Sequence, residues 1–342
     1  MRLIPARVAG LLVTAAAAAI VSFACGGGTP AAPSPVPSTP SSPNLTGITS
    51  DGLNDAPLAG ISIRINGAAE ATSDASGRFE MTLPDPQQPR AVIVSSPLVI
   101  TRETRLLAPG PHVALWLMPA SMDLTAFDQM FRHTDGSLHR WMSAPSLVVC
   151  DRVLRYTSVS DAEYVATDIV LSDVDVESIQ QDASWGLPQA SGNALSGFAG
   201  TSRYSPPPGE AVAVRRSGAI FIARYEGLQV ATSYWGYGRW AVSSSGAVTA
   251  GIVMLDAAFD RSGSMYTRSL RVHELGHSLG WGHVTARTSF MNSNGTILPT
   301  LFDTAAARLA FRRPPLNRSP DIDPALMTAN RETGDVRWSG LP

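Results

Sequence analysis

Apolar and polar positions change period along this chain, and the change marks a boundary. Between Leu45 and Pro119 the period is two. "ISIRING" at 61–67 alternates and closes on an Asn-Gly turn, and "SDASGRFEMTL" at 73–83 is a turn followed by a second alternating strand. "AVIVSS" at 91–96 and "HVALWLM" at 112–118 add two more. Short strands at such intervals, with no helical run among them, predict a small all-β sandwich over 45–119. From Ala120 to Pro342 the texture mixes. "MDLTAFDQMF" reads as a connecting helix and "LHRWMSAPSLVVCDRVL" as the first strands of a second domain. Residues 160–183 read as a helix capped by Ser160 or Asp161, although "DVDVES" inside it also alternates like a strand. Ser184–Gly218, rich in Gly, Pro and Ser, reads as a long loop, and "AIFIARY", "LQVATSYW" and "AVTAGIVMLD" as three strands. "TRSLRVHELGHSLG" is an amphipathic helix with Leu270, Val272, Leu275 and Leu279 facing a core. "FDTAAARLAFRR" reads as a closing helix with Asp303 as N-cap, stopped by Pro314 and Pro315, and the rest as an extended tail without readable chemistry. The pattern predicts a multidomain chain, all-β first and then α/β (α+β).

The N-terminus changes that picture by adding a destination. Arg2 and Arg7 precede an apolar run from Val8 to Val21 that is short for a membrane span, which needs about 20 apolar residues. Residues 1–24 therefore read as a cleaved export signal. Gly26–Pro43 is Gly, Pro, Ser, Thr and Ala with few exceptions, so 25–44 is expected to be a semi-stiff tether. "SFACGGG" resembles the lipobox of bacterial lipoproteins, although Ser22 and Phe23 stand where that family prefers leucine and a small residue. The resemblance implies acylation of Cys25 and a membrane anchor in a bacterial cell envelope. Ser22-x-Ala24 also fits ordinary cleavage, which would leave a secreted chain.

Composition bounds the rest. With 342 residues, 44% hydrophobic and 16% charged, the chain can bury a core. A formal charge of −2 gives no electrostatic case for a nucleic-acid partner. Two cysteines, Cys25 and Cys150, are too few for a disulfide framework, and Cys150 in "SLVVCDR" reads as a buried structural thiol.

Three of the six histidines fall in "RVHELGHSLGWGHVTARTSFMNS", residues 271–293. His273 and His277, four apart on a helix, project from nearly one face, and two imidazoles on adjacent turns can share one metal ion. Glu274 lies beside the first of them, within reach of a water on that metal yet outside its coordination shell. Gly280 breaks the helix, and the chain can return to offer His283 as a third ligand. "AVTAGIVML" upstream is expected to supply an edge along which an extended peptide pairs.

His273-Glu274-x-x-His277-x-x-Gly280-x-x-His283 resembles the signature of the metzincin metalloproteases, and Met291, eight residues past His283, resembles their Met-turn at the matrixin interval. The resemblance implies Zn²⁺ bound by His273, His277 and His283, Glu274 as general base and then general acid, and Met291 as an apolar floor. "PLAGISIRING…ATSDASGRFEMTLP" is similar to transthyretin-like, carboxypeptidase-regulatory modules, which implies a sandwich of that type before a metzincin-type zinc peptidase domain at 120–342. Two departures stand out. Ser293 occupies the place of the switching tyrosine of the astacin and serralysin branches, and no cysteine-switch motif is present. "DVDVE" at 173–177 reads as a solvated face rather than calcium ligands, and His112, His133 and His139 as surface or satisfied core residues. The expected function is an exported, membrane-tethered zinc endopeptidase acting on protein or peptide substrates. The alternative is a surface binding lipoprotein whose sandwich engages a partner and whose zinc domain is inert.

Overall fold

The computed structural model describes residues 43–65, 69–84, 89–106, 112–132 and 135–324, with the backbone of 337–341. The expected export signal, Cys25, the tether up to residue 42 and His133 lie outside the described residues.

Seven strands fill the first region: β1 (Leu45–Asp51), β2 (Ser62–Ile65), β3 (Ala69–Thr72), β4 (Arg78–Met81), β5 (Arg90–Ser96), β6 (Val99–Leu106) and β7 (His112–Leu117). They form two sheets, β4-β1-β7 and β3-β2-β5-β6, in which β1 pairs antiparallel with β4 and parallel with β7. Alternation places Ile63, Ile65, Phe79, Met81, Val92, Val94, Leu115 and Leu117 in one apolar core.

The second region begins with α1 (Leu124–Phe131), N-capped by Asp123. It continues as β8 (Ser146–Cys150), β9 (Arg152–Arg155), β10 (Glu163–Val170), α2 (Asp173–Ala190), β11 (Thr201–Tyr204), β12 (Ala211–Ala213) and β13 (Ala219–Glu226). Then follow α3 (Leu228–Thr232), β14 (Gly236–Val242), β15 (Val248–Asp256), α4 (Ala257–Asp260), α5 (Thr267–Ser278), α6 (Leu301–Phe311) and β16 (Arg337–Leu341). The sheet order is β12-β10-β9-β13-β15-β14-β16, with β8 joining β13 to β11. Strands β8 and β9 lie end to end along β13, both parallel to it, whereas β14 runs antiparallel to β15. One sheet face packs on α1, α2, α5 and α6 through a core that includes Phe127, Phe131, Leu187, Val253, Leu275 and Trp281. The other carries a separate cluster with Cys150, Tyr164, Phe221, Tyr225 and Ile252. The protein is thus β-rich, with three sheets among the described residues.

Several expectations need correction. Residues 160–183 are a strand and then the start of a helix: Glu163–Val170 pairs with β9 and β12, and the helix starts at Asp173 because Ser172 caps it, accepting from the Asp175 amide. The alternating "DVDVES" lies in that helix's first turns. Residues 184–218 are not one loop, since α2 runs to Ala190 and β11 and β12 follow. "LQVATSYW" is not a strand, because Gly227, at φ 87°, ends β13 and starts the short α3. Thr300, not Asp303, caps α6, and Asp303 is the third-position partner of that capping box. Strand β15 is no edge, lying between β13 and β14.

Of the expected extended tail, residues 317–324 are built into the fold. Arg313 and Asp321, both fully buried, pair at 2.6 Å, and Asn317 bridges Asp321 and Asp323. Asp323 in turn accepts from Arg102 of β6 at 2.8 Å, and Arg312 pairs with Asp55 of the sandwich at 2.7 Å. Residues 42–342 accordingly pack as one unit. Among the described residues no helix is long and apolar enough to cross a membrane.

Candidate metal centre

Helix α5 is buried along its length from Ser269 to Ser278. Its approach to the sheet depends on β14, where Gly236 and Gly238 face it on alternate positions. A Cβ on Gly236 would stand 2.4 Å from Glu274 Oε1, and one on Gly238 would stand 2.4 Å from the His277 Cβ. "GYG" at 236–238, a residue type that weakens a strand interior yet recurs on one face, was the available sequence signal for this contact. On its other side α5 is held by ion pairs. Arg271 donates to both oxygens of Asp260 at 2.7 and 2.8 Å and to Asp182 at 2.8 Å, and Arg224 donates to Asp260 at 2.7 Å.

The three histidines converge. The Nε2 atoms of His273, His277 and His283 lie 3.1, 3.1 and 3.2 Å from one another. The helix places the first two, and loop hydrogen bonds place the third. At φ 103°, Gly280 turns the chain out of the helix, Gly282 N–H donates to Met130 O, and Val284 N–H donates to Met291 O. His273 Nδ1 lies 2.8 Å from Phe290 O and His277 Nδ1 lies 2.7 Å from Trp281 O. A carbonyl only accepts, so both protons sit on Nδ1 and both Nε2 atoms present lone pairs. Neither can donate to the other, and a shared cation is what would stabilise such closeness. Nitrogens about 2.0–2.1 Å from a tetrahedral zinc stand about 3.4 Å apart, so the cluster fits that ion with small adjustment.

Electrostatics agree with neutral ligands. Burial, aided by His283 and opposed by the Phe290 hydrogen bond, lowers the His273 pKa to about 4, and burial lowers that of His283. Glu274 is 4% exposed, and burial pushes its carboxyl well above the usual carboxylate range, against a backbone hydrogen bond from Gly238. Its Oε2 has no hydrogen-bond partner among the described residues. A buried polar atom left unpaired costs about 1–3 kcal/mol, and this one differs from the other unpaired buried atoms in lining the same cleft as His273. A cleft of about 380 Å³ opens beside it, lined by Tyr234, Trp235, Gly236, Leu270, His273 and Asn294 among others.

Met291 is fully buried against α5, where a Cβ on Gly276 would meet its Sδ at 2.5 Å. The turn carrying it is clamped by Asp303, which accepts from Ser289 Oγ at 2.6 Å and Phe290 N at 3.1 Å. Because Phe290 O orients His273, Asp303 supports that imidazole at one remove, a role no spacing rule announces. Ser293 lies at the cleft rim. Asp173 and Asp175 pair with Arg203 and Arg224. His139 is buried 3.3 Å from Asp135, and His112 bonds Thr46. Cys150 is a buried free thiol, with its pKa pushed by burial to about 11. Among the described residues, His273, His277 and His283 form the one cluster of metal-ligand side chains.

No family model matches the chain. No curated protein matches it either. Among solved structures, a chain of a type II cohesin–X-dockerin complex from Acetivibrio cellulolyticus aligns with 23% of this chain at 16% identity and a TM-score of 0.19. The aligned part spans 58% of that chain, and so low a score supports no statement about fold or partner.

Proposed function

We propose that the chain is a zinc-dependent endopeptidase of the metzincin type, carried behind a transthyretin-like sandwich. The observation that carries the reading is the convergence of three Nε2 atoms within 3.2 Å beside a buried carboxylate oxygen that the fold leaves unpaired. His273, His277 and His283 would hold the ion, their Nδ1 bonds and the floor under α5 having set the geometry in advance. When bound, zinc polarises a carbonyl and lowers the pKa of water toward about 7. With a cation beside it the buried Glu274 carboxyl would ionise, and Oε2 then takes the proton from the attacking water and delivers it to the departing amine, so no covalent intermediate with the protein is needed. Gly236 and Gly238 bring the β14 backbone up to that carboxylate, which lets an extended substrate lie beside it. The cleft at Tyr234, Trp235 and Leu270 accepts the side chain next to the cut.

The test is metal analysis and hydrolysis of an unstructured protein by the purified chain from Gly26 onward. Zinc at one equivalent, with activity lost and zinc retained in Glu274→Ala, supports the reading. Equal activity in both chains, or no zinc after reconstitution, overturns it. Export and acylation at Cys25 are part of the proposal and rest on residues 1–25 alone; radiolabelled palmitate on the native chain and none on Cys25→Ser is the expected outcome.

A further inference from the structure

We infer that residues 337–341 are a built-in occupant of the outer edge of β14, the strand that abuts the metal centre, and that an extended peptide must displace them to lie there. The functional part of this inference rests on the peptidase reading; the seat itself does not. Strand β14 spends one edge on β15, and β16 fills the other in antiparallel register, from Val242 opposite Arg337 to Gly238 opposite Leu341. The added strand therefore runs toward the centre and ends opposite the glycine that packs against His277 and the Glu274 backbone.

Main-chain pairing asks little of the side chains, so a segment on that edge competes with any extended peptide. The cleft beyond Gly236, at Tyr234, Trp235 and Asn294, is lined by residues outside this ladder. The tail therefore covers one half of the approach and leaves the other accessible. Residues 325–336 connect it to the buried Asn317–Asp323 network that fixes the preceding chain to β6. Because it belongs to the same chain, the strand competes intramolecularly, at an effective concentration of about millimolar, enough for a short strand of modest affinity to stay seated while a substrate can still compete.

Two variants of the full chain test this, one carrying Ser339→Pro with Gly340→Pro, the other lacking 337–342. Adjacent residues of an antiparallel strand present their amides to opposite sides, so one of the two prolines removes a bond to β14. In both variants amide exchange within 236–242 should quicken at least about tenfold, and a labelled synthetic peptide of residues 335–342 should bind and restore protection. On an unstructured peptide substrate kcat/KM should rise about three- to tenfold, chiefly through KM, with the synthetic peptide a competitive inhibitor. Unchanged exchange in both variants overturns the seat. Quickened exchange with unchanged KM overturns the competition. Were no chain to hydrolyse anything, the peptidase reading would fall, while the exchange and peptide-binding measurements would still decide whether 337–341 occupy β14.

Discussion

Helix α5 carries two buried polar clusters on roughly opposite sides, and they are built on opposite rules. His273 and His277 lie about 200° and 240° around the helix from Arg271. The Arg271 cluster sets charge against charge: Arg271 and Arg224 share Asp260, Asp182 also accepts from Arg271, and Asp175 accepts from Arg224, whose Nη1 alone is left without a partner. Opposite charges meet at 2.7–2.8 Å, so each charge finds its counter-charge within the fold. The histidine cluster sets two acceptors, His273 Nε2 and His277 Nε2, against each other, with an unpaired carboxyl oxygen of Glu274 in the same region. Both are buried at similar depth, so burial alone does not separate a structural network from a functional one. Charge does: where each charge meets its opposite the network is complete in itself, whereas lone pairs held against one another call for a cation.

Substitutions should separate the two clusters cleanly. The largest effect is expected from Glu274→Ala, which should lower kcat/KM by about 10²–10⁴-fold with zinc stoichiometry unchanged, measured by steady-state hydrolysis and metal analysis. His277→Ala should lose zinc and activity together. On the Arg271 side, Asp260→Ala leaves two guanidinium groups short of their shared carboxylate and should cost about 3–5 kcal/mol in urea unfolding. Zinc binding by the fraction still folded should persist; if zinc falls in proportion to no unfolding, the clusters are not independent. Met291→Ala should cost about 2–4 kcal/mol, at the cavity scale for a buried methionine, with the histidine geometry retained and zinc bound.

The smallest effect concerns pH. At Asp321 burial favours the neutral acid, yet Arg313, Arg102 and the hydrogen bonds to Arg313 and Asn317 outweigh it and hold the carboxyl below its ordinary value. A depressed carboxyl contributes stability that is complete above the unfolded value near 3.9 and is lost as pH falls through the folded one. Unfolding free energy should therefore drop on acidification below about pH 4, and Asp321→Asn should make that acid limb shallower.

Local chemistry could be read directly. The four-residue spacing of His273 and His277 needs only a helix to become one face, and Gly280 needs only its missing Cβ to turn the chain. Alternation likewise predicted the sandwich strands, because one wet and one dry face leave period two in the residues. Residues 160–183 misled because a strand of eight and a helix of eighteen abut at Leu171 and Ser172, and the alternating aspartates of the helix's first turns resemble a strand. The tail misled for a different reason. Arg102 and Asp323 are 221 residues apart, and no window along the chain joins them.

Residue identity and spacing were enough to specify the placement of His273, Glu274 and His277, since the helix enforces those relations, and Gly280 marked where the chain turns out of it toward His283. Which carbonyls hold the rings, which glycines admit the strand, that β14 rather than β15 flanks the centre, and that 337–341 lie along it were decided in three dimensions. Each of these depends on segments tens to hundreds of residues apart meeting across a packed core, and the free energy that joins them is a property of that meeting, not of any stretch of chain.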